Sequence, residues 1–316
     1  MLASMESKPG WLSGYLRRLG LDHPGEPSAA ALFALHRAQV EHVAYENIDI
    51  QLGRPPGIDP AESISRILAG RGGYCYNLNG AFATLLQALG YSVSWHRGAV
   101  HPAASTPRPE AYGNHLALTV ELNETTWMVD AGLGNAHHEP MPLAVGAHRQ
   151  GPFTYRLERI AAVSDGWRFV HDPALGSFYG MDFSLAPATW PDFLTQHAEL
   201  STSPASSFVS RFQIHRRDAS GVDSIVGCML RRFEGGDQRT ERELRSCGEL
   251  FEAATDIFGL RLHDVSESER AAIWRRNRAA HDAWLASGSD TALRPSPAAR
   301  RSATTSSSPA WRDDAT

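Results

Sequence analysis

One segment, Arg71 to Gly90 (RGGYCYNLNGAFATLLQALG), restricts the fold of this chain more than any other. Leu78, Phe82, Leu85, Leu86 and Leu89 recur at helical spacing, and Gly90 suits the position just past a helix C-terminus. A helix this apolar has to be buried, so the rest of the chain must pack around it. Counting back, Cys75 falls at or near its N-terminus, where unpaired N–H groups and the positive end of the dipole favour an anion. A thiolate is an anion, so the position favours a nucleophilic sulfur. Gly72-Gly73 ahead of it lets backbone or substrate approach closely. The competing reading is a small buried hydrophobe, the common fate of a free cysteine. A phosphate loop is excluded by the missing Gly-Lys that such loops carry.

The flanking sequence divides by hydrophobic period. Ala29 to Val43 places Leu32, Leu35, Val40 and Val43 on roughly one helical face, and Glu62 to Leu68 predicts a further short helix. Between them YENIDIQLG, followed by Pro55 and Pro56, reads as an extended segment or loop. From about Tyr91 the pattern changes to short alternating runs: YSVSW, HLALTV, TWMVD, FTYRLERI and WRFVH. Their spacing predicts a β-barrel or a strongly twisted sheet. Past Ser203, SFVSRFQIHRR and SIVGCMLRRF predict strands, RTERELRSCGELFEAATDIFGL a helix, and Glu267 to Ala286 a last helix with Trp274 and Trp284. The expected units are 1–95, 96–202 and 203–286. Residues 287–316 cannot bury enough apolar surface to offset their ordering entropy and are expected to form a disordered tail.

Composition narrows the function classes. A chain of 316 residues is long enough for two or three packed units, as expected here. A formal charge of −5 gives no general attraction to nucleic acid or to an anionic membrane. No run of about 18 apolar residues is present, and MLASMESKPGW lacks the basic and apolar regions of a leader. Cys75, Cys228 and Cys247 are too few for a disulfide framework and form no CxxC pair, so a reducing, cytoplasmic setting is expected. Cys228 and Cys247 lack the setting of Cys75 and read as core packing. No metal site is expected, because His137-His138-Glu139 lacks the HExxH spacing and a third ligand. Gly132-Leu133-Gly134 has no third glycine and no following helix, so it is a poor dinucleotide signal.

A thiolate nucleophile needs a base, and the base an orienting partner. In NHLALTVELNETTWMVD two strand-like runs flank a polar centre, Glu121 to Glu124, which reads as a four-residue hairpin loop. Opposed residue numbers then sum to 245, placing His115 opposite Asp130 and Leu116 and Leu118 opposite Val129 and Trp127 on the other face. Directly opposed Cβ atoms lie about 4.5–5.5 Å apart, near enough for an imidazole–carboxylate hydrogen bond. An incidental exposed His/Asp pair is the alternative.

RGGYCYNLNG around Cys75, NHLALTV at His115 and VDAGLG at Asp130 together resemble the arylamine N-acetyltransferase family. YENIDIQLGRP, EPMPL and STSPASSF extend the resemblance across roughly residues 10 to 285. It implies an α+β fold made of an N-terminal helical bundle, a β-barrel and an α/β lid, with a papain-like Cys-His-Asp triad. By that resemblance Cys75 is the nucleophile, His115 the base and later the acid, and Asp130 its orienter. The implied reaction is ping-pong: an acyl thioester, acetyl-CoA or similar, acylates the cysteine, and an arylamine or arylhydrazine takes the acyl group. The resemblance further pairs Glu46 with Arg71 to support the loop before Cys75, and places Tyr45, Val100, Leu133 and Phe208 at the acceptor pocket. No bound cofactor is implied. Two positions depart from the family pattern: Asn77 stands where an acidic residue is usual, and Leu133 where an aromatic is usual.

The chain also resembles the actinomycete amide synthases of the same superfamily. These release a polyketide from an acyl carrier protein as a macrolactam, using the molecule's own arylamine. Leu133, GLGNAHHEPMPL and GSFYGMDF point that way. A thioester hydrolase with the same three residues, and a binding module without catalysis, are further readings.

Overall fold

The computed structural model describes residues 9–104, 111–161, 163–235 and 238–286. The tail expected at 287–316 lies outside the described residues. The chain begins with α1 (Gly10–Arg18), α2 (Ala29–His42), a two-residue strand β1 (Tyr45–Glu46), α3 (Ile48–Gln51), α4 (Pro60–Leu68) and α5 (Cys75–Ala88). Ser28 caps α2 by accepting from the Ala31 N–H, and Asp59 caps α4 with Pro60 at the first position, where a missing N–H costs nothing. Every residue of α5 from Cys75 to Ala83 is buried. Phe82, Leu85 and Leu86 share one core with Leu12 and Leu16 of α1, Leu32 and Leu35 of α2, and Ile64 and Ile67 of α4. Gly90 follows the helix at φ 89°, as its position in the sequence predicts.

YENIDIQLG is only partly extended. After β1 the chain closes one helical turn, α3, because Asn47 and Gln51 turn their amides onto the carbonyls of Phe208, Val209 and Arg211. Those partners lie some 160 residues away, so local propensity does not report them.

The second part holds β2 (Ser92–His101), β3 (His115–Leu122), β4 (Thr125–Met128), β5 (Met141–Pro142), β6 (Gly146–Gln150), β7 (Phe153–Ile160), β8 (Gly166–Val170) and β9 (Gly180–Ser184). They form one antiparallel sheet in the order β5-β4-β3-β2-β9-β8-β7-β6. The two edge strands are consecutive in the chain, so the sheet curls into a nearly closed barrel. The β3–β4 register corrects the expected one. Thr119 faces Met128 and Leu122 faces Thr125, so opposed numbers sum to 247 rather than 245. The turn is Asn123-Glu124, with φ 50° and 61°, the type I′ geometry that matches strand twist. A shift of two residues preserves the face, so His115 and Asp130 remain on one side, set diagonally rather than opposite.

A 3₁₀ turn (Trp190–Phe193) and α6 (Leu194–Thr202) lead from the barrel into the third part, which contains α7 (Ser207–Ser210), β10 (Gln213–Arg217), β11 (Val222–Val226), β12 (Met229–Phe233), β13 (Arg239–Glu243), α8 (Cys247–Asp256) and α9 (Glu267–Ala286). Two expectations fail here. Ser207–Ser210 is a helical turn capped by Ser206, not the start of a strand. RTERE is an edge strand, not helix: it pairs with β12 and sets Glu241 2.8 Å from Arg231. Its alternating charges suit exposed helix and exposed strand equally, and the Ser246 cap delays the helix to Cys247. The five-stranded lid sheet runs β1-β10-β11-β12-β13, so its first strand comes from the helical part.

That strand flanks the loop before Cys75. The Glu46 N–H donates to Gly73 O at 2.9 Å. Arg71 bonds Glu46 at 3.4 Å, Asp49 at 3.2 Å and Asp264 at 2.6 Å, while Arg66 adds contacts of 2.7 Å to Asp49 and 3.3 Å to Glu46. Glu46 and Arg71 are 2 % and 4 % exposed, so these are not solvated surface charges. Among the described residues no helix is long and apolar enough to cross a membrane, and no group of three His, Cys, Asp or Glu is placed to hold a metal ion. Removing Arg71 leaves two buried carboxylates, Glu46 and Asp49, to share Arg66 and removes their most deeply buried cation. Arg71→Ala is therefore expected to cost about 3–5 kcal/mol in urea unfolding. A loss below about 1 kcal/mol, the value of an exposed pair, would refute this account of the cluster.

Candidate active site

Cys75 is the first residue of α5, and the residue before it, Tyr74, supplies no side-chain cap, so the positive end of the helix is left to the cysteine. The thiol is 3 % exposed and lies 3.9 Å from the Asn114 carbonyl. His115, the first residue of β3, reaches it from the barrel. The imidazole Nε2–H donates to Asp130 Oδ2 at 2.6 Å, which leaves Nδ1 for the sulfur.

The Asp130 carboxylate is surrounded. Its Oδ1 accepts from Asn79 Nδ2 at 2.7 Å and from the Gly132 N–H at 2.9 Å. Asn79 also donates to Leu116 O at 2.6 Å and accepts from the Ala131 N–H at 2.9 Å, which fixes its amide orientation. Sequence reasoning missed Asn79, although a signal was present: it stands four residues after Cys75, on the same helix face. Gly132 is sterically required, since a Cβ there would lie 2.7 Å from Asn79 Nδ2 and 3.0 Å from Cys75 Cα.

Burial disfavours charge on both members of the His115–Asp130 pair, but their mutual attraction prevails. Against its burial, His115 is pushed up to about 10 by the adjacent Asp130 carboxylate, with the thiol adding to the shift. Asp130, also desolvated, is held below the usual carboxylate range by His115 and Asn79. An imidazolium–carboxylate pair therefore persists through neutral pH.

A cavity of about 290 Å³ opens beside the thiol. Cys75 and His115 line it together with Tyr45, Val100, Leu133 and Phe208, the four positions expected at an acceptor pocket. Asn135, Ser177, Phe178, Gln213 and His215 line it too, and sequence reasoning missed them because they belong to no motif around the cysteine. Asn77 packs the approach to α5, donating to Gly57 O at 2.9 Å and Ser63 Oγ at 3.2 Å. His137-His138-Glu139 does not converge. Glu139 bonds Arg37 at 2.8 Å, His138 bonds Glu41 at 2.6 Å, and His137 stacks on His36 with ring centroids 5.1 Å apart. Cys228 is buried, and Cys247 heads α8. Burial raises both thiols.

A family model described as N-acetyltransferase matches residues 28–266. The chain is 28 % identical over 276 residues to the arylamine N-acetyltransferase / N-hydroxyarylamine O-acetyltransferase of Salmonella typhimurium, covering 83 % of this chain and 95 % of the relative. It is 28 % identical over 268 residues to the arylamine N-acetyltransferase of Mycolicibacterium smegmatis, covering 81 % and 94 %. Among solved structures, the M. smegmatis enzyme superposes with a TM-score of 0.76 at 26 % identity, covering 84 % of this chain and 97 % of that one. The Salmonella enzyme gives 0.74 at 26 %, covering 84 % and 98 %. The chain thus belongs to the arylamine N-acetyltransferase family and is an acyltransferase.

Proposed function

We propose that the chain transfers an acyl group from a thioester donor, acetyl-CoA or similar, through Cys75 to an aromatic amine. The observation that carries this reading is the His115 imidazole held by the Asp130 carboxylate at 2.6 Å beside the Cys75 thiol, with Cys75 and His115 both lining a cavity of about 290 Å³. In the first half-reaction Cys75 Sγ attacks the donor carbonyl. The C–S bond to the donor breaks, and His115 gives its Nδ1 proton to the departing thiolate. In the second the amine attacks the Cys75 thioester carbonyl, His115 accepts the ammonium proton, and the C–S bond to Cys75 breaks, restoring the thiolate beside the imidazolium. Asp130 keeps His115 charged for the first step and oriented for the second.

Support for the donor comes from a relative: the Mycobacterium marinum arylamine N-acetyltransferase, 25 % identical with a TM-score of 0.74, has been solved in complex with CoA. Support for a small acceptor comes from the cavity, which lies at the low end of the roughly 300–1,000 Å³ usual for small-molecule sites. In this reading residues 1–95 carry the nucleophile, 96–202 the base and its orienter, and 203–286 the lid. Arg71 and Glu46 fix the loop before the cysteine. A thiol nucleophile suits a reducing compartment, which supports a cytoplasmic setting.

Incubated with acetyl-CoA or p-nitrophenyl acetate, the intact protein should gain the mass of one acetyl group, and Cys75→Ala should gain none. Adding an aromatic amine should discharge the adduct as the amide. Discharge at a rate indifferent to amine makes the protein a hydrolase instead, and absence of any adduct defeats the reading.

The pH dependence follows from the His115 shift. Its pKa is raised, so the imidazolium that supports a thiolate is present through neutral pH and lost only as pH climbs through about 10. Asp130→Asn removes the main cause of that shift. Alkylation of Cys75 by iodoacetamide at pH 6 should then slow by at least about tenfold, and turnover should fall by roughly 10²–10⁴-fold. An alkylation profile identical to that of the unmodified protein would remove Asp130 from the mechanism.

A further inference from the structure

The acceptor cavity contains polar groups that the Cys-His-Asp chemistry does not use. Asn135 and Ser177 bond each other at 2.9 Å. Gln213 and His215, two residues apart on β10, present their side chains to the same space. Gly134, next to Asn135, lies against the Tyr45 and His215 rings: a Cβ there would sit 3.1 Å from the first and 3.4 Å from the second. The two pairs thus supply polar groups to the wall of one cavity.

Gln213 is held in place from behind. Its backbone N–H donates to Asn47 Oδ1 at 2.9 Å. His215 Nδ1 bonds Ser224 Oγ at 2.8 Å, and Nε2 meets Gln213 Oε1 at 3.4 Å. Ser224 is 1 % exposed and His215 8 %, so the two groups behind the half-buried Gln213 are shielded from water. The Gln213 amide nitrogen has no partner among the described residues and remains free to bond a ligand. Burial lowers His215 to about 4, so the wall is neutral at working pH. Among the described residues lining the cavity none is Lys, Arg, Asp or Glu, and the one cation, His115, is already committed to Asp130.

We propose that Gln213, held by His215 and Ser224, is a specificity-determining residue of the acceptor site. It selects an aromatic amine with an uncharged hydrogen-bonding substituent, such as a phenolic hydroxyl or a carboxamide, over one carrying a carboxylate. The proposal rests on the transferase reading above. A hydroxyl at the wall exchanges its water for the Gln213 amide. A carboxylate loses its hydration and finds no unpaired cation. A site arranged to bond a substrate hydroxyl discriminates against analogues that leave its polar groups unpaired.

The test compares aniline, 3-aminophenol and 3-aminobenzoate as acceptors with acetyl-CoA as donor. The unmodified protein should show a kcat/KM for 3-aminophenol at least about a hundredfold above that for 3-aminobenzoate. Gln213→Met, similar in length but without the amide, should lower the ratio of 3-aminophenol to aniline by at least about tenfold. Taking this ratio cancels any general loss of folded protein. His215→Phe, which removes the anchor and keeps Gln213, should lower the same ratio. A preference for 3-aminobenzoate, or a ratio indifferent to both substitutions, overturns the proposal. Failure of the transferase reading shows itself separately, as absence of acetyl on Cys75. In that event calorimetric binding of the three amines to the unacylated protein decides: 3-aminophenol should bind tightest, and equal affinities overturn the proposal.

Discussion

A carboxylate with 1 % of its surface exposed is the demand around which this molecule is organised. Burying such a charge is costly unless donors surround it. Asp130 takes those donors from three places: Asn79 on α5, His115 on β3 and the Gly132 N–H of its own loop. None is a near neighbour except Gly132, so satisfying one charge locks the helical part against the barrel. The thiol then falls into place because Cys75 shares a helix face with Asn79. Only the absence of a side chain at residue 132 lets the loop approach so closely.

Much of this was legible in the sequence because the relevant patterns are local. The apolar face of α5, the left-handed glycine behind it and the last helix, Glu267–Ala286, depend on spacing within a few turns. The His115–Asp130 pair was legible through the two-residue period of strands. The register itself was not, since a polar ELNE centre marks a turn without saying which two residues enter the left-handed region. The even error left the face unchanged, and with it the pairing. RTERE and the helical turn after YEN were illegible for a different reason. RTERE takes its conformation from pairing with β12, which its alternating charges do not announce, and the turn after YEN from residues 208–211, some 160 positions away. The polar wall of the cavity is illegible in the same sense, being assembled from β10 and two loops.

Cys75 and Cys247 make an instructive pair. Each opens a helix, at α5 and α8, and a local reading of the helix field treats them alike. Sequence reasoning separated them without seeing that Cys247 also heads a helix. Burial raises the Cys247 thiol, whereas Cys75 has an imidazole brought to it from another element and held there by a carboxylate. The helix end contributes to reactivity only where the tertiary fold adds a proton acceptor.

The two-residue strand β1 ties together regions that are otherwise separate. Glu46 hydrogen-bonds the loop leading to the cysteine, while Tyr45 and Glu46 pair with His215 and Ile214 of the lid sheet. One short piece of backbone is thus shared by the loop before Cys75 and by a wall of the cavity beside it. Replacing the lid wholesale, as in a chimera between relatives, would disturb the register at the cysteine loop unless the residues around 45–46 were exchanged with it. The cavity lining in this architecture is more readily altered by single side chains on an intact β10 than by exchange of modules.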